Sequence, residues 1–117
     1  MLLAVGEHVL KDEGRHCVRM ATGLAGGVGS TKQEMCGALS GGVLVIGRLF
    51  GREQVEESDQ KALALAACYR ERFLTEMGAT QCARLYELVH TPGGLGSCAA
   101  VVERAVQILL DLLEEAG

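Results

Sequence analysis

The cysteines carry the most specific chemical signal in this 117-residue chain, which contains five of them. Cys36 lies in the glycine-studded apolar segment 33–47. Cys82 and Cys98 each follow a potential threonine or serine helix cap by one or two residues. A thiol near a helix N-terminus feels the positive end of the helix dipole, which favours the thiolate. A buried cysteine is usually an inert core thiol, but independent core thiols have no reason to prefer helix starts. The pattern therefore predicts thiol redox or metal chemistry and names no substrate.

The other cysteines and the histidines give weaker signals. Cys68 lies mid-helix among small apolar residues, as a structural cysteine would, and Cys17 begins a short predicted helix beside a surface turn. The three histidines show no HxxxH or HxH spacing, so we interpret them as solvated. His90 is the exception, because it lies next to the loop 91–97 that leads to Cys98 and could act there as a base or a ligand.

Four glycines, at positions 37, 41, 42 and 47, follow Cys36 within one predicted helix. Each costs roughly 1 kcal/mol relative to alanine in a helix interior, so the close approach that they allow must be useful. The simpler interpretation is tight packing within the chain or in a dimer. The sharper one is room for a second sulfur, a metal or a ligand beside Cys36.

Composition and charge exclude several function classes. The chain is 49% hydrophobic but only 3% aromatic, with one proline, which favours packed helices over a sandwich or barrel. The net charge is −4 and no basic stripe is interleaved with aromatics, so nucleic-acid binding has no support. The longest uncharged run, 35–47, is shorter than the roughly 20 residues that span a bilayer.

The redox compartment follows from the N-terminus and the cysteine spacing. The first residues lack a basic region and soon turn acidic, so no signal peptide is expected and a cytoplasmic location is the default. The absence of CxxC argues against a zinc ribbon, and the cytoplasm disfavours permanent disulfides. Buried thiols, reversible disulfides and a metal remain as alternatives.

The hydrophobic periodicity predicts an all-α fold, a single-domain bundle of five or six helices with a glycine-rich central helix. The predicted helices cover residues 2–10, 17–25, 31–50, 59–77, 81–89 and 98–115. Ser30 and Gln33 form a potential capping box for the central helix, and Gly78 is a natural helix stop. The first helix begins at residue 1 without a cap, so we expect the domain, residues 1–117, to lack the N-terminal part of that helix.

The motif CGALSG at residues 36–41 resembles the CGAxxG motif of the redox-active proteins named for their C_GCAxxG_C_C pattern. Further similarity lies in ATGLAGGVG, GRLFGR and GATQCARL, at residues 21–29, 47–52 and 78–85, and Cys98 completes the order. The resemblance implies a small helical protein with four characteristic cysteines and a redox activity inferred from that pattern. It also implies a transporter-linked partner, because members are often encoded beside transporter components.

One departure from the family pattern concerns its first cysteine, which lies near the start of the first helix. No cysteine occurs at that place here, and Cys17 lies too far along the chain to replace it. Either the true start lies upstream or this member works with Cys36, Cys82 and Cys98 only. Four-thiolate coordination would then need Cys17, Cys68 or a second subunit.

We therefore hypothesise a small redox protein that uses cysteine thiol/disulfide chemistry, with Cys36 as the reactive thiol and Cys82 or Cys98 as its resolving partner. The alternative is a metal-binding module in which the same three thiols hold a zinc ion or an iron–sulfur cluster. A third possibility is a structural or adaptor domain whose glycine face forms a dimer interface. A homodimer is expected under all three, and a redox or transporter-linked protein under the first.

Overall fold

The computed structural model describes residues 14–116, and their regular secondary structure is helical. The elements are α1 (Gly14–Ala21), a 3-10 turn (Thr22–Leu24), α2 (Gly37–Phe50), α3 (Gln60–Met77), α4 (Cys82–Val89) and α5 (Cys98–Ala116). Within residues 14–116 there is no strand, only an isolated antiparallel bridge between Met35 and Gln81. The predicted all-α fold of five or six helices is confirmed. The predicted helix over residues 2–10 lies outside the described residues.

The core forms where α2, α3 and α5 pack against one another, because each of these helices carries an apolar face. The largest fully buried side chains are Tyr69, Phe73, Ile46, Leu109 and Val45. For the last helix the apolar spacing predicts one buried stripe: Val101, Val102, Ala105, Ile108, Leu109 and Leu112. This stripe is confirmed, with five of its six members buried and Val102 half-buried. For α3 the apolar spacing predicts one buried stripe: Leu63, Ala66, Ala67, Tyr69, Phe73, Leu74 and Met77. The stripe is confirmed at Tyr69, Phe73 and Met77, which are buried. It is wrong at Ala67, which is exposed, and at Leu63, which is 61% exposed.

Local capping signals end or begin several helices as the sequence predicts. Gly78 ends α3 in the left-handed conformation with φ +86°, which a residue without a Cβ adopts freely. The Ser97 hydroxyl accepts a hydrogen bond from the Ala100 N–H at 3.2 Å and so caps α5. Thr80 was expected to cap the next helix, but the capping position of α4 is held by Gln81, without a side-chain hydrogen bond.

The central helix α2 begins at Gly37, six residues later than predicted, and the capping box at Ser30 is wrong. Residues 26–30 all have φ between +59° and +70°, so this glycine-rich segment turns left-handed instead of starting a helix. Backbone groups of residues 32–36 then bond to the glycine turn and to residues 80–83 at the start of α4, instead of to each other. The bounds predicted for the helix over 17–25 also differ from the structure. That helix begins earlier, at Gly14, ends at Ala21 and is followed by a 3-10 turn. At the start of the central helix, long-range hydrogen bonds to residues 80–83 overrode helix propensity.

Candidate functional site

Cys36, Cys82 and Cys98 line the same cavity, which has a volume of about 530 Å³. Its walls come from α1, the 3-10 turn with the two residues that follow it, the whole length of α4 and the starts of α2 and α5. The other lining residues are mostly apolar or small: Val18, Ala21, Thr22, Leu24, Ala25, Gly26, Gly37, Ala38, Gly41, Leu85, Tyr86, Val89, Val101 and Val102. Folding thus brings together three thiols that are far apart in the chain.

Cys36 is the N-terminal capping residue of α2, with φ −55° and ψ 137°. Its own N–H donates to the Thr80 carbonyl at 2.8 Å, which anchors it to the segment before α4. The thiol makes no capping hydrogen bond. The N–H groups of Ala38 and Leu39, in the first turn, nevertheless lie close enough to influence its ionisation.

Cys82 is the first residue of α4, and its N–H donates to the Glu34 carbonyl at 2.8 Å. Together with the bond from Cys36 to Thr80, this forms the two-bond bridge around Met35 and Gln81. In such an antiparallel pair Cys36 and Cys82 occupy diagonal positions, whose Cα atoms are typically about 7–8 Å apart. That separation is slightly beyond the disulfide range, which ends near 7 Å.

The left-handed turn before Cys36 supports Cys82 from the other side. A Cβ built on Gly27 would lie 2.6 Å from the Cβ of Cys82 and 3.0 Å from the Glu34 carbonyl oxygen. Gly27 also has φ +70°, a conformation that glycine adopts without the cost that a Cβ brings. The segment packs so closely that the position of Cys82 depends on it.

Cys98 is the first residue of α5 and the exposed one of the three thiols, whereas Cys36 and Cys82 are half-buried. The loop before it is held at Gly96, whose N–H donates to the Val89 carbonyl at 2.9 Å. The next turn of α5 brings Val101 and Val102 into the cavity wall. All five cysteines are free thiols.

The ionisation of Cys36 is governed by burial. Loss of hydration raises the pKa of this thiol, the N–H groups of Ala38 and Leu39 lower it, and the charges of Cys82 and Cys98 raise it again. The net direction is upward. The prediction that the helix N-terminus would favour a thiolate at Cys36 is therefore wrong, because desolvation outweighs the helix dipole.

A pH titration of Cys36 alkylation tests this direction. In the folded protein the rate with iodoacetamide should reach half its plateau at a higher pH than in the same chain unfolded in urea. A raised folded pKa also means that the contribution of Cys36 to stability is present at low pH. It is lost as pH rises through the folded pKa. An equal or lower midpoint in the folded protein would contradict the desolvation argument.

Tyr69 on α3 supports the first turn of α2 from within the core. Its side chain is fully buried, and its hydroxyl donates to the Ala38 carbonyl at 2.9 Å. Burial raises the pKa of Tyr69, and the negative charge of Cys36 adds to the effect, so the hydroxyl keeps its proton. The sequence predicts Tyr69 as a core residue but gives no sign of this contact with the site.

His90 does not line the cavity. It follows the last residue of α4, and its ring lies 4.2 Å from the Tyr86 ring, with Nδ1 2.8 Å from the Tyr86 carbonyl oxygen. Tyr86 itself lines the cavity. The Lys32 ammonium lies 4.1 Å from the centroid of the Tyr86 ring, in a cation–π contact. Sequence reasoning missed Tyr86, since a lone tyrosine on a short helix has no distinguishing pattern.

Cys17 and Cys68 lie apart from the cavity wall and pack, half-buried, against the edge of the core. Among residues 14–116 no three His, Cys, Asp or Glu side chains lie close enough to hold a metal ion together. The three cavity thiols thus share a wall without forming a ligand cluster. In the same part of the chain no helix is both long and apolar enough to cross a membrane.

The profile of one protein family matches residues 1–112, nearly the whole chain, and its description reads "Putative redox-active protein (C_GCAxxG_C_C)". The chain belongs to this family. No curated protein and no solved structure gave a match. In this C_GCAxxG_C_C protein the CGAxxG residues build the start of α2. Cys36 occupies the N-terminal capping position of the helix. Gly37 and Gly41 line the cavity without adding side-chain volume to it, and the Ala38 carbonyl accepts the hydrogen bond from Tyr69.

Proposed function

We propose that this protein exchanges thiols and disulfides, with Cys36 as the reactive thiol and Cys82 or Cys98 as its resolving partner. The single observation that supports it most is the common cavity of the three thiols. Within it, the backbone bridge favours Cys82, because it holds this residue diagonally opposite Cys36. A small shift of either helix start would bring the pair into disulfide range.

The reaction balances with a disulfide as oxidant. The Cys36 thiolate attacks one sulfur of R–S–S–R, forms a mixed disulfide and releases one thiolate RS⁻. A second protein thiolate then attacks the Cys36 sulfur, closes the intramolecular disulfide and releases the second RS⁻. The protein dithiol loses two electrons and the substrate disulfide gains them. In the folded state the raised pKa of Cys36 makes its thiolate scarce but strongly nucleophilic.

The experiment is disulfide mapping after mild oxidation with diamide, followed by alkylation and digestion. Trypsin places each of the five cysteines in a separate peptide, including 33–48, 73–84 and 85–104 for the cavity thiols. We expect a cross-linked pair that contains Cys36, and nearly complete loss of that pair in Cys36→Ser. Cys68→Ser is the matched control and should leave it unchanged. Equal alkylation of all five thiols before and after oxidation would refute the proposal.

The remaining expectations concern assembly, partners, location and domain organisation. The homodimer, the redox or transporter-linked protein partner, the cytoplasmic location and the single-domain organisation of residues 1–117 stay predictions from the sequence. The hypothesis that the glycine face forms a dimer interface is weakened at Gly42, because the Tyr69 ring already packs on this glycine within the chain.

A further inference from the structure

The residues that line the three-thiol cavity, within the part of the chain that the structure describes, are uncharged. Among the lining residues of the described chain, 14–116, there is no aspartate, glutamate, lysine or arginine. Apart from the thiols, the polar side chains there are those of Thr22 and Tyr86. The Lys32 ammonium contacts the Tyr86 ring, but Lys32 itself does not line the cavity.

This composition limits what can bind beside Cys36. An ion that enters a cavity with an apolar wall loses hydration, and without a partner of opposite charge the free-energy cost of this loss is not compensated. A charged disulfide such as oxidised glutathione would bring carboxylates and ammonium groups against valine, leucine and alanine side chains. An uncharged apolar molecule would instead gain from contact with the same side chains.

The cavity size fits a small organic molecule. Its volume of about 530 Å³ lies within the range of small-molecule sites, roughly 300–1,000 Å³. Backbone without side-chain bulk at Gly26, Gly37 and Gly41 contributes to this space. The half-buried Cys36 and Cys82 lie in the wall, so a bound disulfide would meet a thiol without leaving the cavity.

We infer that the substrate of this site is an uncharged, apolar, low-molecular-weight organic disulfide that binds in the three-thiol cavity before Cys36 attacks it. The inference rests on the proposed thiol function. It adds the substrate class, which neither the sequence motif nor the family description contains. The step is the exchange described above: a mixed disulfide forms at Cys36 as one RS⁻ leaves, and Cys82 or Cys98 displaces the second.

The test compares two nitro-substituted aromatic disulfides that differ mainly in charge. 2,2′-Dithiobis(5-nitropyridine) is neutral, and 5,5′-dithiobis(2-nitrobenzoate) carries two carboxylates. The rate of modification of Cys36 is followed by mass spectrometry of peptide 33–48, in folded protein and in protein unfolded in urea. Because an unpaired carboxylate is disfavoured in an apolar site, the neutral-to-anionic rate ratio should be at least about tenfold higher in the folded protein.

Two controls separate the cavity from the overall negative charge of the chain. The first is 1 M salt, where the Debye length is about 3 Å, so long-range repulsion vanishes but exclusion from the cavity persists. The second is a matched pair of lysines. Ala21→Lys adds a cation to the cavity wall, whereas Met20→Lys adds it one residue earlier, at a side chain that is 87% exposed. Ala21→Lys should reduce the ratio severalfold, and Met20→Lys should leave it unchanged.

The outcomes distinguish this inference from the function on which it rests. A ratio that is equal in folded and unfolded protein, or that falls to the unfolded value in 1 M salt, would overturn the apolar substrate. If diamide still produced the Cys36 disulfide, the thiol function would stand. If no oxidant produced a Cys36 disulfide, both would fail. A ratio that responds equally to the two lysine variants would also contradict a role for the cavity wall.

Discussion

Gly42→Ala is expected to lower the free energy of unfolding by about 1 to 2 kcal/mol, because an overpacking cost of about 2 to 3 kcal/mol exceeds the gain in helix propensity. A Cβ at this position would lie 2.5 Å from Cζ and from Oη of Tyr69, which is fully buried. The ring cannot move freely, because its hydroxyl is bonded to Ala38 and its edge packs on Phe73. Alanine's better helix propensity, about 1 kcal/mol, offsets only part of the loss.

Gly47→Ala is the matched control on the same helix. A Cβ there would meet nothing within 4 Å, so the substitution should stabilise by about 0.5–1 kcal/mol through helix propensity alone. Urea unfolding followed by circular dichroism measures both variants. If the two alanines had the same effect, the packing of Tyr69 on the central helix would not be as the structure describes. Displacement of Tyr69 should also disturb the Ala38 turn that Cys36 caps.

The second large effect is expected at Gly27→Ala, which combines two penalties. A non-glycine residue in the left-handed region costs about 1–2 kcal/mol. The new Cβ would in addition lie 2.6 Å from the Cys82 Cβ and 3.0 Å from the Glu34 carbonyl oxygen, and such overpacking costs about 1–3 kcal/mol. We expect a total loss of about 3 kcal/mol in unfolding free energy. The yield of the Cys36–Cys82 disulfide should fall severalfold, because Cys82 is pushed from its position.

Gly29→Ala isolates the conformational part of this effect. Gly29 has φ +60° in the same left-handed turn, but nothing lies within 4 Å of its Cβ direction. It should lose about 1–2 kcal/mol and keep the wild-type disulfide yield. Urea unfolding and the diamide mapping described above provide the two measurements. Equal disulfide yields in Gly27→Ala and Gly29→Ala would show that the turn does not position Cys82.

The parts of the fold that follow local rules could be predicted from the sequence. The apolar periodicity of α5 and the glycine at the end of α3 each encode their structure within a few residues. The starts of α4 and α5 were predicted to within one residue, which placed Cys82 and Cys98 in first helical turns. At Leu63 the same rule failed, because apolar spacing does not tell which face of a helix its neighbours leave open.

The start of the central helix could not be predicted in the same way. The capping box at Ser30 has the right spacing, but Ser30 itself lies in the left-handed turn with φ +59°. Several backbone groups of the following residues bond instead to residues 80–83, at the start of α4 and far later in the chain. No local pattern in residues 31–36 predicts these hydrogen bonds to residues 80–83. The raised pKa of Cys36 could not be predicted for the same reason, because it depends on burial of the thiol by other elements.

The sequence by itself determined the helical class, the ends of several helices and the places of Cys82 and Cys98 at helix starts, because these depend on near neighbours in the chain. Only the tertiary structure decided that Cys36, Cys82 and Cys98 share an apolar cavity, that Tyr69 holds the first turn of α2, and that Cys36 is desolvated. These properties arise from contacts between different elements of the chain, such as the bond from Tyr69 to Ala38. Such contacts form only when the helices pack.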